Sequence, residues 1–412
     1  MTNPRPLTLL WLIGLDHASG MRHGGNLRWF NLSRELLARG HTVYFGINGA
    51  AGPDLAARVD YLDELKRDGF ISGHFVLDYP QPRERGALVR LAAHHPAVVN
   101  RRLRSFREGP TRAAETLIAQ NHVDALIVSD RGFLFLVDAL RARMPVLIDW
   151  VDSFVLYFRR ALGMHLRRGQ LGAALSDLRS LLAYHFQERY YGRRATMNLL
   201  ASPVDKRCLD AMTGRPGDNH VLLNGLSIEQ PRAQATKVPT RLVFTGNMDF
   251  PPNYEAVCWF IDEVFPLVRR QRPDVTFRVA GRNPVPALLA RSGGSVEIQG
   301  DVPDIPTEIA QAALYVAPLV SGGGFKNKII EAVACGTFVV STPRGVEFLD
   351  APLRDLFLVG DSPTRFAEQV LRFLESPDTF NARLPALQSR IVAEYTWSRR
   401  ADELLAQLQR SR

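Results

Sequence analysis

The chain has 412 residues, 46% hydrophobic and 23% charged, with a formal net charge of +9. That composition suits two soluble globular domains and excludes a fibrous, low-complexity or disordered protein. No apolar run approaches the ~18–20 residues of a membrane span. Cys208, Cys258 and Cys335 lie too far apart for a CxxC pair, which argues against a disulfide framework or cysteine zinc site and fits a reducing cytoplasm.

In chain order, the first expected element is a buried strand over 7–15, whose flanks Asp16 and His17 do not suit a signal peptide. A helix over 25–39 follows, then strands over 42–47, 125–129, 146–150 and 196–201. Strands alternating with helices predict a parallel sheet covered on both faces. Breaker-rich segments at 213–218 and 229–239 read as turns and a linker. The pattern then restarts, with strands over 241–245, 276–280, 296–299, 314–317 and 338–341. Helices are expected over 254–270, 305–312, 326–335 and 363–374, and a last one over 398–409. The expected division is a first doubly wound domain over 1–230, a linker over 231–240, a second domain over 241–395 and a terminal segment over 396–412 that reaches back to the first domain. In such α/β folds ligands collect at the carboxyl ends of the strands.

The most informative segment is Ser321-Gly322-Gly323-Gly324-Phe325-Lys326-Asn327-Lys328, which enters the helix bearing Glu331. Strand, glycine loop, helix and strand together aim backbone N–H groups and a positive helix end at an anion, with phosphate the expected one. Lys326 and Lys328 add positive charge from different sides of the helix. Glu331 suits ribose hydroxyls beside the phosphate better than the phosphate itself. The alternative is a flexible turn before a solvated helix face.

The run from Gly322 to Thr342 resembles the donor-site block of family 4 retaining glycosyltransferases, whose pattern usually ends in "lEAmA.G.PVV.T". Leu242–Asn253 is similar to that family's first donor-domain strand and loop. Asn224-Gly225 and the amino-terminal Gly24-Gly25, Phe30-Asn31-Leu32 and Leu36–Val43 match its other blocks in order. The resemblance implies a GT-B fold, two Rossmann-like domains facing a cleft, and transfer of a hexose from a nucleoside diphosphate sugar to a glycan or lipid-linked acceptor with retention. It also suggests a branch linked to exopolysaccharide systems. Three departures stand out. Gly323 occupies the place of the family's first glutamate, Asn247 and Asn253 lie near its usual Arg and Lys, and Val151 lies near its usual His. These departures keep a sugar-nucleotide epimerase or a non-catalytic nucleotide-sugar-binding relative open as alternatives.

On this reading Gly322, Gly323, Gly324, Phe325, Lys326, Lys328 and Glu331 bind the donor diphosphate and ribose, and Gly246, Asn247, Arg282, Asp301 and Val302 line the base side. Gly24, Gly25 and Asn26 serve the acceptor side, or simply form a tight turn. Asp152, Lys328 and Glu331 are the catalytic candidates, Asp152 lying near the transferred sugar or, alternatively, only capping a helix. No D-x-D metal cluster is evident, so the helix end and lysines are expected to stabilise the leaving diphosphate without a metal or cofactor. Between Arg83 and Arg112 eight arginines face two glutamates. This stretch is either a solvated face or a contact with an anionic membrane, placing the protein in the cytoplasm or on the inner face of the cell membrane. No nucleic-acid-reading motif accompanies the charge.

Overall fold

The computed structural model describes residues 5–15, 24–50, 54–79, 96–227 and 235–410. They form two compact units, one made of the chain up to Gly225 with Trp397–Arg412, the other of Leu226–Thr396.

The first unit holds a seven-stranded sheet of β1 (Thr8–Leu12), β2 (Thr42–Asn48), β3 (Gly73–Leu77), β4 (Ala125–Val128), β5 (Val146–Val151), β6 (Met197–Leu200) and β7 (Asn219–Val221). Its order is β3-β2-β1-β4-β5-β6-β7, and all neighbours run parallel. Side chains alternate across β1. Leu9 and Trp11 enter one core with Phe30 and Phe45, while Leu10 and Leu12 enter the other with Leu126 and Phe133. Burial on both faces is why these strands read as unbroken apolar runs. The helix Trp397–Arg410 belongs to this unit and sets Trp397, Ala401, Leu404 and Leu408 into the Leu9–Trp11 core. Each large apolar side chain so buried contributes about 1.5–3 kcal/mol. Gly225 makes room for that helix, since a Cβ there would lie 2.5 Å from Trp397 Cδ2.

The second unit contains β8 (Val238–Asn247), β9 (Thr276–Arg282), β10 (Val296–Gly300), β11 (Ala312–Ala317), β12 (Phe338–Ser341) and β13 (Leu358–Val359). The parallel order is β10-β9-β8-β11-β12-β13. The winding reverses between β8 and β11, so the loops after those two strands open at one switch point.

Several elements differ from the sequence reading. The strand expected from 241 begins at Val238, inside the expected linker, of which 231–234 lie outside the described residues. The single helix expected over 254–270 is an α-helix over Pro251–Trp259, a π-helical turn over Phe260–Val264 and an α-helix over Phe265–Gln271. The strands β3, β7 and β13 were not anticipated, and neither was the helical hairpin of Phe154–Arg167 and Leu171–Gly192.

Candidate functional site

Four features meet at the switch point of the second unit. The first is the close approach of β8 and β9 at paired glycines: a Cβ on Gly281 would lie 1.8 Å from the Gly246 carbonyl oxygen. The second is the end of β8, tied to β11 where the Thr245 N–H donates to the Tyr315 hydroxyl at 3.1 Å and the two hydroxyls share a 2.9 Å hydrogen bond. The third is the glycine loop after β11. Gly322 and Gly324 sit at φ 84° and 72°, left-handed conformations that favour glycine, whereas Gly323 does not. The fourth is the helix Asn327–Ala334, whose N-terminus carries no side-chain cap.

Lys328 joins these features. Its ammonium donates to Asn253 Oδ1 at 2.5 Å and lies 4.2 Å from the centre of the Phe244 ring. Asn253 is anchored in turn by donating Nδ2 to the Asn247 carbonyl at 2.8 Å. A Cβ at 246 would lie 2.9 Å from Lys328 Nζ and 2.8 Å from Asn253 Nδ2, so a side chain there would displace this pair. Burial pushes the Lys328 ammonium down to about 7, with Glu331 opposing and Lys326 reinforcing that fall. Burial likewise pushes the Glu331 carboxyl up to about 7, against the attraction of Lys328. Two oppositely charged groups one helical turn apart therefore both titrate near neutrality. Asn247 Oδ1, at the end of β8, and Ser321 Oγ, in the loop after β11, are buried without a hydrogen-bond partner among the described residues. A polar ligand can satisfy such atoms, whose isolation otherwise costs ~1–3 kcal/mol each.

The other expected donor-side residues separate by role. Lys326 is buried, and its ammonium turns back onto the glycine loop, donating to the carbonyl of Gly323 and, at 3.2 Å, to that of Gly324. It therefore braces the loop, whereas the sequence reading made it a diphosphate ligand on a different side of the helix from Lys328. Phe325 packs at 4.4 Å from the Phe348 ring and 5.9 Å from Tyr395, fixing the far side of the loop. Arg282 closes β9, and its carbonyl accepts from the Met248 N–H at 2.8 Å. Asp301 is exposed at φ 51° just past β10, and the following Val302 N–H points to the Gly281 carbonyl at 3.4 Å. Among the described residues no three His, Cys, Asp or Glu side chains gather as a metal-binding group.

Residues 239–376 match the family model of group 1 glycosyl transferases. This segment is a group 1 glycosyltransferase domain. It spans β8–β13 and therefore contains the whole switch-point site. An uncharacterized 44.6 kDa protein in the cps region of Klebsiella pneumoniae is 24% identical over 144 residues, covering 32% of this chain and 36% of that protein. A phosphatidyl-myo-inositol mannosyltransferase of Mycobacterium leprae is 28% identical over 195 residues, covering 45% of this chain and 51% of that protein. The matches thus span about half or less of the length of these curated relatives. The crystal structure of Anabaena HepE in complex with UDP-glucose superimposes with a TM-score of 0.63 at 15% identity, covering 98% of this chain and 99% of that one. Likenesses of this kind extend over both units, and the fold is that of the GT-B glycosyltransferases.

Outside the glycosyltransferase domain, the first unit carries the remaining expected residues. Gly24, Gly25 and Asn26 open the helix Gly24–Ala38, and the residues just before them lie outside the described segments. Arg28 of that helix makes a fully buried ion pair with Asp149 at 2.9 Å and donates to the Leu222 carbonyl at 2.7 Å and Asn224 Oδ1 at 3.0 Å. Asp149 of β5 is thereby a structural anchor. Val151, near the place of the family's His, adopts φ 61° in a γ-turn closed by a 2.7 Å bond from the Asp152 N–H to the Trp150 carbonyl. A β-branched residue there is strained. Asp152 follows, its carbonyl 3.4 Å from Arg131 Nη2. Arg131 is held by Glu188 at 2.9 Å and stands 4.0 Å from the centre of the Phe154 ring.

Sequence reasoning missed Phe244, Arg28, Arg131 and Glu188. Arg28 and Asp149 are 121 positions apart, and no local pattern marks such a pair. The expected basic surface over 83–112 is only partly described, since 83–95 fall outside the described residues. Within the described part, Arg104 and Arg112 are exposed and share Glu108 at 3.6 and 4.0 Å.

Proposed function

We propose that the protein is a retaining glycosyltransferase that moves a hexose from a nucleoside diphosphate sugar to a glycan or lipid-linked acceptor. The observation that carries this reading is Lys328, set at the switch point beside an uncapped helix N-terminus and held by Asn253 over Phe244. The bond from the anomeric carbon to the diphosphate breaks, a bond to an acceptor hydroxyl oxygen forms on the same face, and the hydroxyl proton passes to the departing diphosphate. Negative charge then grows on the departing diphosphate, where an ammonium and backbone N–H groups fixed in advance stabilise it most. The loop N–H groups of Gly322–Gly324 lie against the diphosphate, braced from behind by Lys326 and Phe325. Glu331 accepts from the ribose hydroxyls. Asn247, Gly246, Arg282, Asp301 and Val302 form the base side, and Lys328 and Glu331 are the catalytic-site residues of this unit. In the first unit, Asp152 is assigned a catalytic role, and the helix start at Gly24, Gly25 and Asn26 is assigned to the acceptor. The chemistry written here requires no metal or cofactor.

Supporting a nucleotide-sugar donor is the HepE complex with UDP-glucose, and supporting a glycan or lipid-linked acceptor are a relative in a cps region and a phosphatidyl-myo-inositol mannosyltransferase. Gly323, in place of the family's first glutamate, favours sugar recognition through the loop backbone. The test is release of nucleoside diphosphate from a panel of sugar nucleotides with and without candidate acceptors. Acceptor-dependent release, with the anomeric configuration of the product read by NMR, supports the reading. A donor that binds and is never turned over leaves a non-catalytic binding protein, and conversion of the sugar without an acceptor points to an epimerase.

A further inference from the structure

The hairpin of helices Phe154–Arg167 and Leu171–Gly192 in the first unit has a surface that its fold does not use. Its arms are pinned by His165 Nδ1 and Asp177 Oδ2 at 2.6 Å. One face of the second helix, carrying Ala174, Asp177, Glu188 and Tyr191, is buried. A second face carries Leu171, Leu175, Leu178, Leu182 and Phe186, all exposed, with Leu171 at 72% and Leu175 at 50%. Their spacing of three or four residues places them in one stripe, ~22 Å long at 1.5 Å per residue. Leu166, 53% exposed, adds an apolar position just before the turn at Arg168–Gln170. Single exposed leucines need no explanation, but a stripe of this kind marks a contact surface.

The charge around the stripe has one sign. From 153 to 194 the sequence holds eight arginines and two acidic residues, Asp177 and Glu188. Both acids are buried, Asp177 facing His165 and Glu188 receiving Arg131, the Ser153 hydroxyl and the Phe154 N–H. Arg159, Arg167, Arg168, Arg179, Arg189 and Arg193 are exposed. A symmetric contact between two copies would press this positive face against itself. Among the described residues no helix is long and apolar enough to cross a membrane. An apolar stripe with cationic flanks is instead the pattern of a helix lying in the headgroup region of a bilayer.

We infer that this hairpin docks the protein on an anionic lipid bilayer, with Leu171, Leu175, Leu178 and Leu182 entering the headgroup boundary and the surrounding arginines facing lipid phosphates. The inference is independent of the nucleotide-sugar reading and places the lipid contact on 154–194. The test is flotation of the full chain with vesicles of phosphatidylcholine mixed with phosphatidylglycerol, against phosphatidylcholine alone. Two variants are compared, Leu175→Ser/Leu178→Ser/Leu182→Ser and Arg167→Glu/Arg168→Glu, with circular dichroism verifying their fold. Binding is expected only to the mixed vesicles and to weaken with salt. Each arginine near such a surface is worth about fivefold, so the charge variant should bind at least ~30-fold more weakly. The serine variant should lose at least ~10-fold. Equal binding to both vesicle types, or binding that neither folded variant weakens, overturns the inference. So does a wild-type dimer in sedimentation that the serine variant dissociates while vesicles are ignored, since the occupant would then be a second copy.

Discussion

Replacing Lys328 by methionine keeps an unbranched side chain one atom shorter and removes its charge. Burial holds this ammonium near 7 and the Glu331 carboxyl near 7. A bound diphosphate favours protonated Lys328, so above pH 7 binding must take up a proton, and affinity falls as pH rises through 7. A Glu331 carboxylate that accepts from ribose must shed its proton below pH 7, so affinity also falls as pH drops through 7. Both phosphates of a sugar nucleotide are esterified on two sides and lack the second ionisation of a monoester, so the profile belongs to the protein. The full slope is ~1.4 kcal/mol per pH unit, but both groups are half-titrated at pH 7, so affinity should fall by ~1.2 kcal/mol, about eightfold, from pH 7 to 8.5. Lys328→Met should weaken binding at pH 7 by roughly 2 kcal/mol, the loss of one charge-assisted contact, and should abolish the alkaline limb. Glu331→Gln should flatten the acid limb instead. Calorimetric titration in two buffers of different ionisation heat reads both affinity and proton uptake. An unchanged alkaline limb in Lys328→Met, or a wild-type affinity independent of pH, would refute the reasoning.

Other predictions concern stability and the shape of the site. Because Lys328 is shifted down and Glu331 up, the protein should gain stability from Lys328 as pH rises from 7 toward 10.5, and from Glu331 as pH falls from 7 toward 4.5. The double variant Lys328→Met/Glu331→Gln should then be more stable than wild type at pH 7 by roughly 2–3 kcal/mol while losing donor binding, and a lower Tm would contradict this. Arg28→Ala leaves the buried Asp149 unpaired and should destabilise the first unit by about 3–5 kcal/mol in urea unfolding, with Arg28→Ala/Asp149→Ala less damaging than the two single costs summed. Gly281→Ala drives a methyl group into the Gly246 carbonyl and should cost at least ~2 kcal/mol together with donor affinity. A neutral Gly281→Ala would show that β8 and β9 do not need their close approach.

The alternating strands and the glycine loop were legible because each rests on local chemistry. A strand buried on both faces must be an apolar run, and positive φ at Gly322 and Gly324 all but requires glycine. What was not legible depends on distance in sequence or on burial. Lys328 meets Asn253 across 75 positions, and the asparagine registered only as a departure from a family pattern. Lys326 is a lysine beside glycines in the sequence, but in the fold its ammonium satisfies the carbonyls of the loop it follows. The hairpin helix Leu171–Gly192 has two apolar faces, one packed and one exposed, so its hydrophobic period blurs. The strands β7 and β13 have three residues and two residues, too few to show alternation.

The central claim is that the switch-point site of the second unit binds a nucleoside diphosphate sugar through Lys328 and Glu331. Calorimetric titration of the full chain with sugar nucleotides at pH 7, wild type beside Lys328→Met and Glu331→Gln, tests it most directly. The account predicts saturable binding of one donor per chain to the wild type and a loss of about tenfold or more in each variant. Binding of equal strength in all three proteins, or no binding of any sugar nucleotide to the wild type, would contradict it.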